Sequence, residues 1–372
     1  MKCSICGSER LPVSGSIGVC RECILKNPDE VLPLVFEKVN CIRLSMGESL
    51  LNSQTGLTCF GCGNNCKISE GGKGVCGLFE NRQGRIIRLA GMPSKGLLDF
   101  YYDALPTNCV ADFVCPAGTG CGYPKYAYKN GPEYGYYNLA VFYRGCNFNC
   151  LFCQNWHHRP VSGGGKYLSA EQLAGQVNDK VACICYFGGD PTPQLPHSIE
   201  ASRIALQKAE KQGRILRVCW ETNGGMNRAQ LKTILSLALK SGGIVKFDLK
   251  FYSEPLNLAL CGVSNKTAIS NFQYAAEFFK ERSQPPLIVV STPLIPGYTS
   301  VEEVEKIASL IASVNPDIPY RLLGFTPNFQ MSDLPSTSKN HALKCLEAAR
   351  QAGCKTVNIG NYPHLSDINY NS

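Results

Sequence analysis

The chain has 372 residues, 44% hydrophobic and 18% charged, with a formal net charge of +8, enough length for one large domain and one or two small ones. No apolar run reaches the roughly 18 residues needed to cross a bilayer, and the first residues lack the apolar stretch of a secretory signal, so a cytoplasmic protein without membrane contact is expected. The cationic excess is spread along the chain rather than gathered into one stripe, which signals nucleic-acid binding only weakly.

The 21 cysteines set the chain apart, and most fall in C-x2-C or C-x3-C pairs. In a reducing compartment such pairs point to metal ligation rather than disulfides. Cys3, Cys6, Cys20 and Cys23 form C-x2-C-x13-C-x2-C, close to the spacing of a structural zinc site closed by two knuckles. This zinc-knuckle-like module, residues 1–35, is too short to fold on apolar burial, so a metal must supply the stability. Rubredoxin-type iron is the alternative occupant. Residues 24–56 read as a connector with one short helix at about 28–38.

Residues 36–132 read as a cysteine-rich auxiliary region. Cys59, Cys62, Cys66 and Cys76 are interleaved with glycines that let the backbone turn around a metal. Four thiolates make a closed site, either structural zinc or an auxiliary iron–sulfur cluster. Residues 81–89 read as a hairpin with Gln83-Gly84 at its turn. Cys109, Cys115 and Cys121 lie in a Pro/Gly-rich loop over 105–134 at a spacing foreign to zinc knuckles. They complete a cluster with other cysteines, hold a second one, or remain plain thiols.

From residue 133 to 372 the pattern becomes alternating strand and helix. Apolar runs lie at 138–143, 181–187, 214–221, 244–249, 287–291 and 320–325, with a short seventh at 355–359. Helices are expected between them at about 169–179, 197–212, 227–241, 266–282, 300–314 and 338–352. Ser169-Ala-Glu-Gln172 and Ser300-Val-Glu-Glu303 have capping-box form. Repeated units with strands buried on both faces imply an α/β fold: a partial (β/α)6 TIM-type barrel, preceded by the small cysteine-rich modules.

Chemistry collects at the carboxyl ends of barrel strands. The first run ends in Cys146-x3-Cys150-x2-Cys153. Three thiolates leave one corner of an iron–sulfur cube open, and an open corner is where a cosubstrate binds. The second run ends in Gly188-Gly189-Asp190, the third in Thr222-Asn223-Gly224, the fourth in Asp248-Leu-Lys250, the fifth in Pro293-Leu-Ile-Pro296-Gly297 and the sixth in Gly324-Phe-Thr-Pro327. The glycines permit close backbone approach. Asp248 and Lys250, two apart on one strand, share a face. Taken singly, each is read equally well as a turn, an exposed pair or core; their order along the chain is what argues for one site.

Together these motifs resemble the radical S-adenosylmethionine (SAM) superfamily, in its pyruvate formate-lyase activating enzyme-like branch. The resemblance is greatest to the radical enzyme of the AmmeMemoRadiSam system and covers roughly residues 57–365. It implies that Cys146, Cys150 and Cys153 bind a [4Fe-4S] cluster. It also implies that Gly188, Gly189, Asp190, Asn223, Asp248 and Lys250 help bind SAM. From their chemistry, Thr222 suits a carboxylate or ribose, and Pro296 and Gly297 offer a flat turn for adenine with Phe152 packed on the ring. The implied activity is an oxidoreductase reaction: reductive cleavage of SAM by an electron from a low-potential, flavodoxin- or ferredoxin-like donor, under anaerobic conditions. The resulting 5′-deoxyadenosyl radical abstracts hydrogen from a substrate, so no catalytic side chain is required. Tyr143 is expected to shield the radical, and inward-facing Cys185 or Cys219 to be core or to relay it. A protein substrate, as for glycyl-radical enzymes, is the first expectation, with nucleic acid or a small molecule the alternative. A non-SAM electron-transfer or scaffold protein would not need the strand-end motifs. Two departures concern the substrate: Asp190 stands where the family usually has Glu, and simple activating enzymes lack both the N-terminal unit and the Cys109–Cys121 loop.

Overall fold

The computed structural model describes residues 1–51 and 53–370. It opens with α1 (Arg21–Lys26) and α2 (Pro28–Ser45). Helix α2 continues well past the expected residue 38. Its inner stripe is Val31, Val35, Val39 and Arg43, all buried at i+4 spacing. The stripe ends on an arginine, so the apolar signal stops a turn before the helix does. Two ribbons follow, β1 (Leu57–Thr58) with β2 (Lys67–Ile68), and the expected hairpin of β3 (Phe79–Arg82) and β4 (Arg85–Arg88). Gln83 and Gly84 hold its turn at φ 53° and 69°, the doubly left-handed geometry that favours such residues.

Strand β5 (Gly96–Ala104) leads through the cysteine loop, with α3 (Pro116–Thr119), to β6 (Tyr137–Tyr143). The barrel units then follow as β7 (Lys166–Leu168), α4 (Ala170–Ala174), β8 (Val181–Gly188), α5 (Leu195–Lys211), β9 (Arg217–Thr222), α6 (Arg228–Ser241) and β10 (Val245–Asp248). The chain continues with α7 (Glu254–Cys261), α8 (Lys266–Glu277), β11 (Ile288–Leu294), α9 (Val301–Val314), β12 (Tyr320–Gly324), α10 (Lys339–Gln351) and β13 (Val357–Gly360). The sheet order is β13-β12-β11-β10-β9-β8-β6-β5-β7. Strands β6 and β8 to β13 pair in parallel, whereas β5 runs antiparallel to both β6 and β7. The sheet's two ends do not meet in this order, so the barrel is partial. The six expected strands and the short seventh are all present. Strand β5 lies outside the expected strands because its outer half is exposed and Asp99 and Asp103 break its apolar pattern.

Alternation on the parallel strands sends one set of side chains outward beneath the helices. Tyr143, Tyr186 and Trp220 stack in series at 6.0 and 5.3 Å. Their polar ends meet α5: the Tyr143 hydroxyl lies 2.7 Å from His197 Nδ1 and the Tyr186 hydroxyl 2.8 Å from Ser202 Oγ. Trp220 Nε1 donates to Ser198 Oγ at 3.1 Å. Burying each such ring stabilises the fold by about 1.5–3 kcal/mol. Tyr143 therefore faces helix α5 rather than the barrel interior, and the shielding role expected of it is not available at that position. Ser169 and Gln172 form the complete capping box. Ser300 caps α9, but Glu303 turns away to accept from the backbone N–H groups of Tyr252 and Ser253, both at 3.0 Å, bracing the loop after β10.

Candidate functional site

The strand ends open on one cleft, lined by Cys146, Cys150, Cys153, Phe152, Gly188, Gly189, Asp190, Thr222, Asn223, Asp248 and Lys250. The sequence-derived site residues are thus brought together, apart from Pro296 and Gly297. Alternation along the end of β11 directs Pro293 and Ile295 to the cleft instead. Gly297, at φ 79°, abuts the N-terminal module, where an added Cβ would stand 2.0 Å from the Pro12 carbonyl oxygen. That turn is used to dock residues 12–19. Tyr298 continues the seam, its hydroxyl accepting from Ser14 N–H at 3.1 Å and donating to Val19 C=O at 3.0 Å.

The glycines answer a close approach of the chain to itself. Gly188 has φ 111°, and a Cβ there would lie 2.2 Å from the Tyr143 nitrogen; one on Gly189 would lie 2.3 Å from the Gly145 carbonyl. The end of β8 can therefore lie flat against the loop that carries Cys146. Asp190 is buried and accepts from Thr192 N–H at 2.8 Å, Asn223 N–H at 2.7 Å and Thr222 Oγ1 at 3.1 Å. Burial pushes its carboxyl pKa up, while these donors oppose the shift. Its oxygens position the Thr222-Asn223-Gly224 turn. Asn223 Nδ2 in turn donates to Asn147 Oδ1 at 2.8 Å and stands 3.9 Å from Cys146 Sγ.

Asp248 and Lys250 form a direct ion pair, with the ammonium 5.7 Å from the Phe152 ring centre. Burial disfavours the charged Lys250, but Asp248, Cys150 and Cys261 outweigh it and raise its pKa well above the ordinary lysine value. The cleft thus presents a carboxylate and an ammonium beside an aromatic face, complementary to an amino acid joined to a nucleoside.

Other residues hold the three-cysteine loop and were not legible beforehand. The carbonyls ending α7 lack helical partners and accept from the loop: Leu260 from Leu151 N–H at 3.0 Å, Cys261 from Asn149 N–H at 2.7 Å. Cys261 itself is buried with its thiol beside that of Cys150. Arg43 reaches from α2 to Asn149 Oδ1 at 2.7 Å, Glu48 at 2.7 Å and the Ser49 carbonyl at 2.6 Å. Arg159, on the cleft wall, binds the same Asn149 oxygen and Glu48, the latter at 2.8 Å. Only the Arg159 position, close after the cysteines, carried even a weak signal. His158 stacks on Phe142 at 4.8 Å.

Among the described residues, Cys3, Cys6, Cys20 and Cys23 are the one group of potential ligands whose atoms all lie within 4.8 Å of one another. Cys3 and Cys23 are 3.7 Å apart and Cys6 and Cys20 3.9 Å. Tetrahedral zinc with bonds of about 2.3 Å sets its sulfurs about 3.8 Å apart, so this set fits a single ion. Cys59, Cys62, Cys66 and Cys76 surround a separate small cavity that Asn147 also lines. Gly63 N–H donates to Gly225 C=O at 2.9 Å, and Asn64 binds the Asn147 carbonyl, so this module is docked on the cleft's wall. Cys109 and Cys115 line a further cavity, and Cys121 lies apart from them. Cys185 and Cys219 line that same cavity below the cleft.

Residues 140–311 match the model of the Radical SAM superfamily. A protein of Methanocaldococcus jannaschii named as a glycyl-radical enzyme activating enzyme is 27% identical over 216 residues, covering 57% of this chain and 76% of that protein. An uncharacterized protein of the same organism is 24% identical over 335 residues, 82% of this chain and 81% of its own. The pyruvate formate-lyase 1-activating enzyme of Escherichia coli is 28% identical over 144 residues, 37% of this chain and 55% of that enzyme. A solved domain of pyruvate-formate lyase-activating enzyme from Bacteroides vulgatus aligns with TM-score 0.36 at 19% identity, covering 48% of this chain and 98% of that one. Residues 140–311 thus form a Radical SAM superfamily domain, and the proteins that the chain resembles include ones named as activating enzymes.

Proposed function

We propose that this radical SAM enzyme cleaves SAM reductively and uses the product to abstract hydrogen from a protein substrate, in the manner of a glycyl-radical activating enzyme. The observation that carries the reading is the convergence of Cys146, Cys150 and Cys153 with Asp190, Asn223 and the Asp248–Lys250 pair in one cleft. A [4Fe-4S] cluster and SAM, when bound, would supply the chemistry: one-electron cleavage of the sulfonium bond to a 5′-deoxyadenosyl radical.

The residues of the chain do the rest. Cys146, Cys150 and Cys153 would hold the cluster, with Asn149 between them fixed by Arg43 and Arg159. Asp248 suits a ribose hydroxyl and Lys250 the SAM carboxylate. Phe152 and the apolar Pro293–Ile295 wall suit the adenine and exclude water. Asp190 acts as a positioning residue through Asn223 rather than as a direct ligand. Structural zinc on Cys3, Cys6, Cys20 and Cys23 fits their close sulfurs. The wider set Cys59, Cys62, Cys66 and Cys76 suits an auxiliary cluster, whose core spaces its thiolates further apart than one ion does. A protein substrate is supported by the names of the Methanocaldococcus and Escherichia relatives.

The test is anaerobic reconstitution with iron and sulfide, reduction, addition of SAM, and chromatographic detection of 5′-deoxyadenosine. Product with the wild type and none with Cys150→Ala is expected. Equal product from both would overturn the assignment.

A further inference from the structure

Beneath the cleft, inside the barrel, lies a second cavity of about 40 Å³ whose wall includes Cys109, Cys115, Cys183, Cys185, Cys219 and Lys246. Radical SAM chemistry at the strand ends uses none of them. They come from four separate places in the chain. Cys183 and Cys185 are two apart on β8 and so share its inner face. Cys219 stands directly opposite Cys185 in the β8–β9 register. Cys109 and Cys115 enter from below on the loop that follows β5, which plugs the barrel by packing Ala111 against Ile244 and Val289. Lys246 projects from β10 with its side chain 2% exposed, its Nζ 2.9 Å from both Cys109 Sγ and Cys185 Sγ.

Two features separate this arrangement from a core that happens to contain small sulfur side chains. The first is charge. A buried ammonium is costly unless opposite charge surrounds it. Its carboxylate partner is Glu221, whose Oε2 stands 3.4 Å away, an ion pair longer than either sulfur contact. The other cation in the wall, Arg217, is already matched by Glu133, with Nη1 to Oε1 at 2.9 Å. Negative charge on the sulfurs would add to that of Glu221 at the two shorter contacts of Lys246. Four thiolates on a doubly charged metal centre carry about −2.

The second feature is spacing. Cys185 bridges Cys109 and Cys219, yet the sulfurs here do not close to within 4.8 Å as a group of three, unlike those of Cys3, Cys6, Cys20 and Cys23. Cys146, Cys150 and Cys153, where the proposed function places a cluster, likewise do not all close to within 4.8 Å.

We infer that Cys109, Cys185 and Cys219, with Cys115 or Cys183 as the fourth ligand, bind an iron–sulfur cluster inside the barrel, with Lys246 as its buried counter-charge. Lys246 Nζ lies 5.1 Å from the Phe187 ring centre, and Phe187 and Glu221 line the upper cleft. A single layer of side chains therefore separates the two sites.

The test uses the full chain carrying Cys146→Ala, Cys150→Ala and Cys153→Ala, so that it is independent of the SAM-cleaving cluster. This protein and one with Cys185→Ala and Cys219→Ala added are reconstituted anaerobically with ferrous iron and sulfide. Iron, sulfide and zinc are then counted per chain. Loss of one cluster's iron and sulfide, with zinc and the circular-dichroism spectrum unchanged, is expected. Unchanged iron and sulfide, or loss of zinc instead, would overturn the inference. Should the added substitutions prevent folding, the wild type is alkylated before and after its iron is stripped, and modified cysteines are mapped by mass spectrometry. Cys109, Cys185 and Cys219 are expected to react only after stripping. Equal reaction in both states would refute the site.

Discussion

Arg43→Met tests whether the N-terminal helix governs the cluster loop. The Arg43 guanidinium is 2% exposed and donates to Asn149 Oδ1 at 2.7 Å, the Ser49 carbonyl at 2.6 Å and the Val75 carbonyl at 3.2 Å, with Glu48 at 2.7 Å. Burial pulls its pKa down to about 10, with Glu48 opposing. Methionine fills similar volume but leaves these acceptors without their donor. Glu48 and Asn149 keep Arg159, so the loss falls short of a fully orphaned charge. Leaving a buried charge uncompensated costs about 3–5 kcal/mol, so with Arg159 still in place the lower bound of about 3 kcal/mol is the ceiling here. At about 2.1 cal/mol/K per residue, a chain of this length loses about 1.3 °C in Tm per kcal/mol, so a drop of up to about 4 °C is expected. Anaerobic calorimetry gives the Tm, and iron analysis gives occupancy of the Cys146, Cys150 and Cys153 site, which should fall with it. Arg43→Lys should not rescue, because a point charge cannot bridge carbonyls and carboxylate as a planar fork does. A Tm within 1 °C of wild type together with full iron content would refute the reasoning.

Three further outcomes follow from other parts of the molecule. Lys250→Met should weaken SAM binding about 10- to 150-fold in equilibrium dialysis, the loss of one charge-assisted bond of about 1.5–3 kcal/mol, with iron content unchanged; undiminished affinity would remove Lys250 from the site. His341 is buried with Nε2 2.9 Å from the Thr299 carbonyl, and burial lowers its pKa to about 4 from 6.5. Its neutral form is favoured by folding, so the contribution is complete above pH 6.5 and lost as pH falls toward 4, about 3 kcal/mol in all. His341→Gln should therefore flatten the fall of Tm between pH 6.5 and pH 5, and a parallel profile would contradict this. Cys6→Ser should release one zinc per chain and loosen the seam at Tyr298, read as faster amide exchange over residues 12–19; retained zinc would count against the tetrahedral site.

Much of the barrel was visible in the sequence because parallel strands buried on both faces are written as apolar runs, and their ends as polar or glycine-rich turns. The Cys146-x3-Cys150-x2-Cys153 loop and the ends at Gly188, Asn223 and Asp248 are local in the chain, so their order alone placed them at one rim. Gln83-Gly84 was legible for the same reason: its left-handed turn is a property of two adjacent residues. Three kinds of feature were decided only by tertiary structure. Gly297 is consumed by docking Pro12, which no local rule foretells. The Arg43–Asn149–Arg159 clamp joins residues more than a hundred positions apart, and a buried arginine at the end of a helix stripe reads as solvent-facing until its partners are known. The scattered cysteines at 109, 115, 183, 185 and 219 have no ligand spacing along the chain, because ligand spacing is legible only when one turn supplies several ligands. Strand register and the loop beneath the barrel bring them around Lys246, and both are long-range consequences of how the sheet curls.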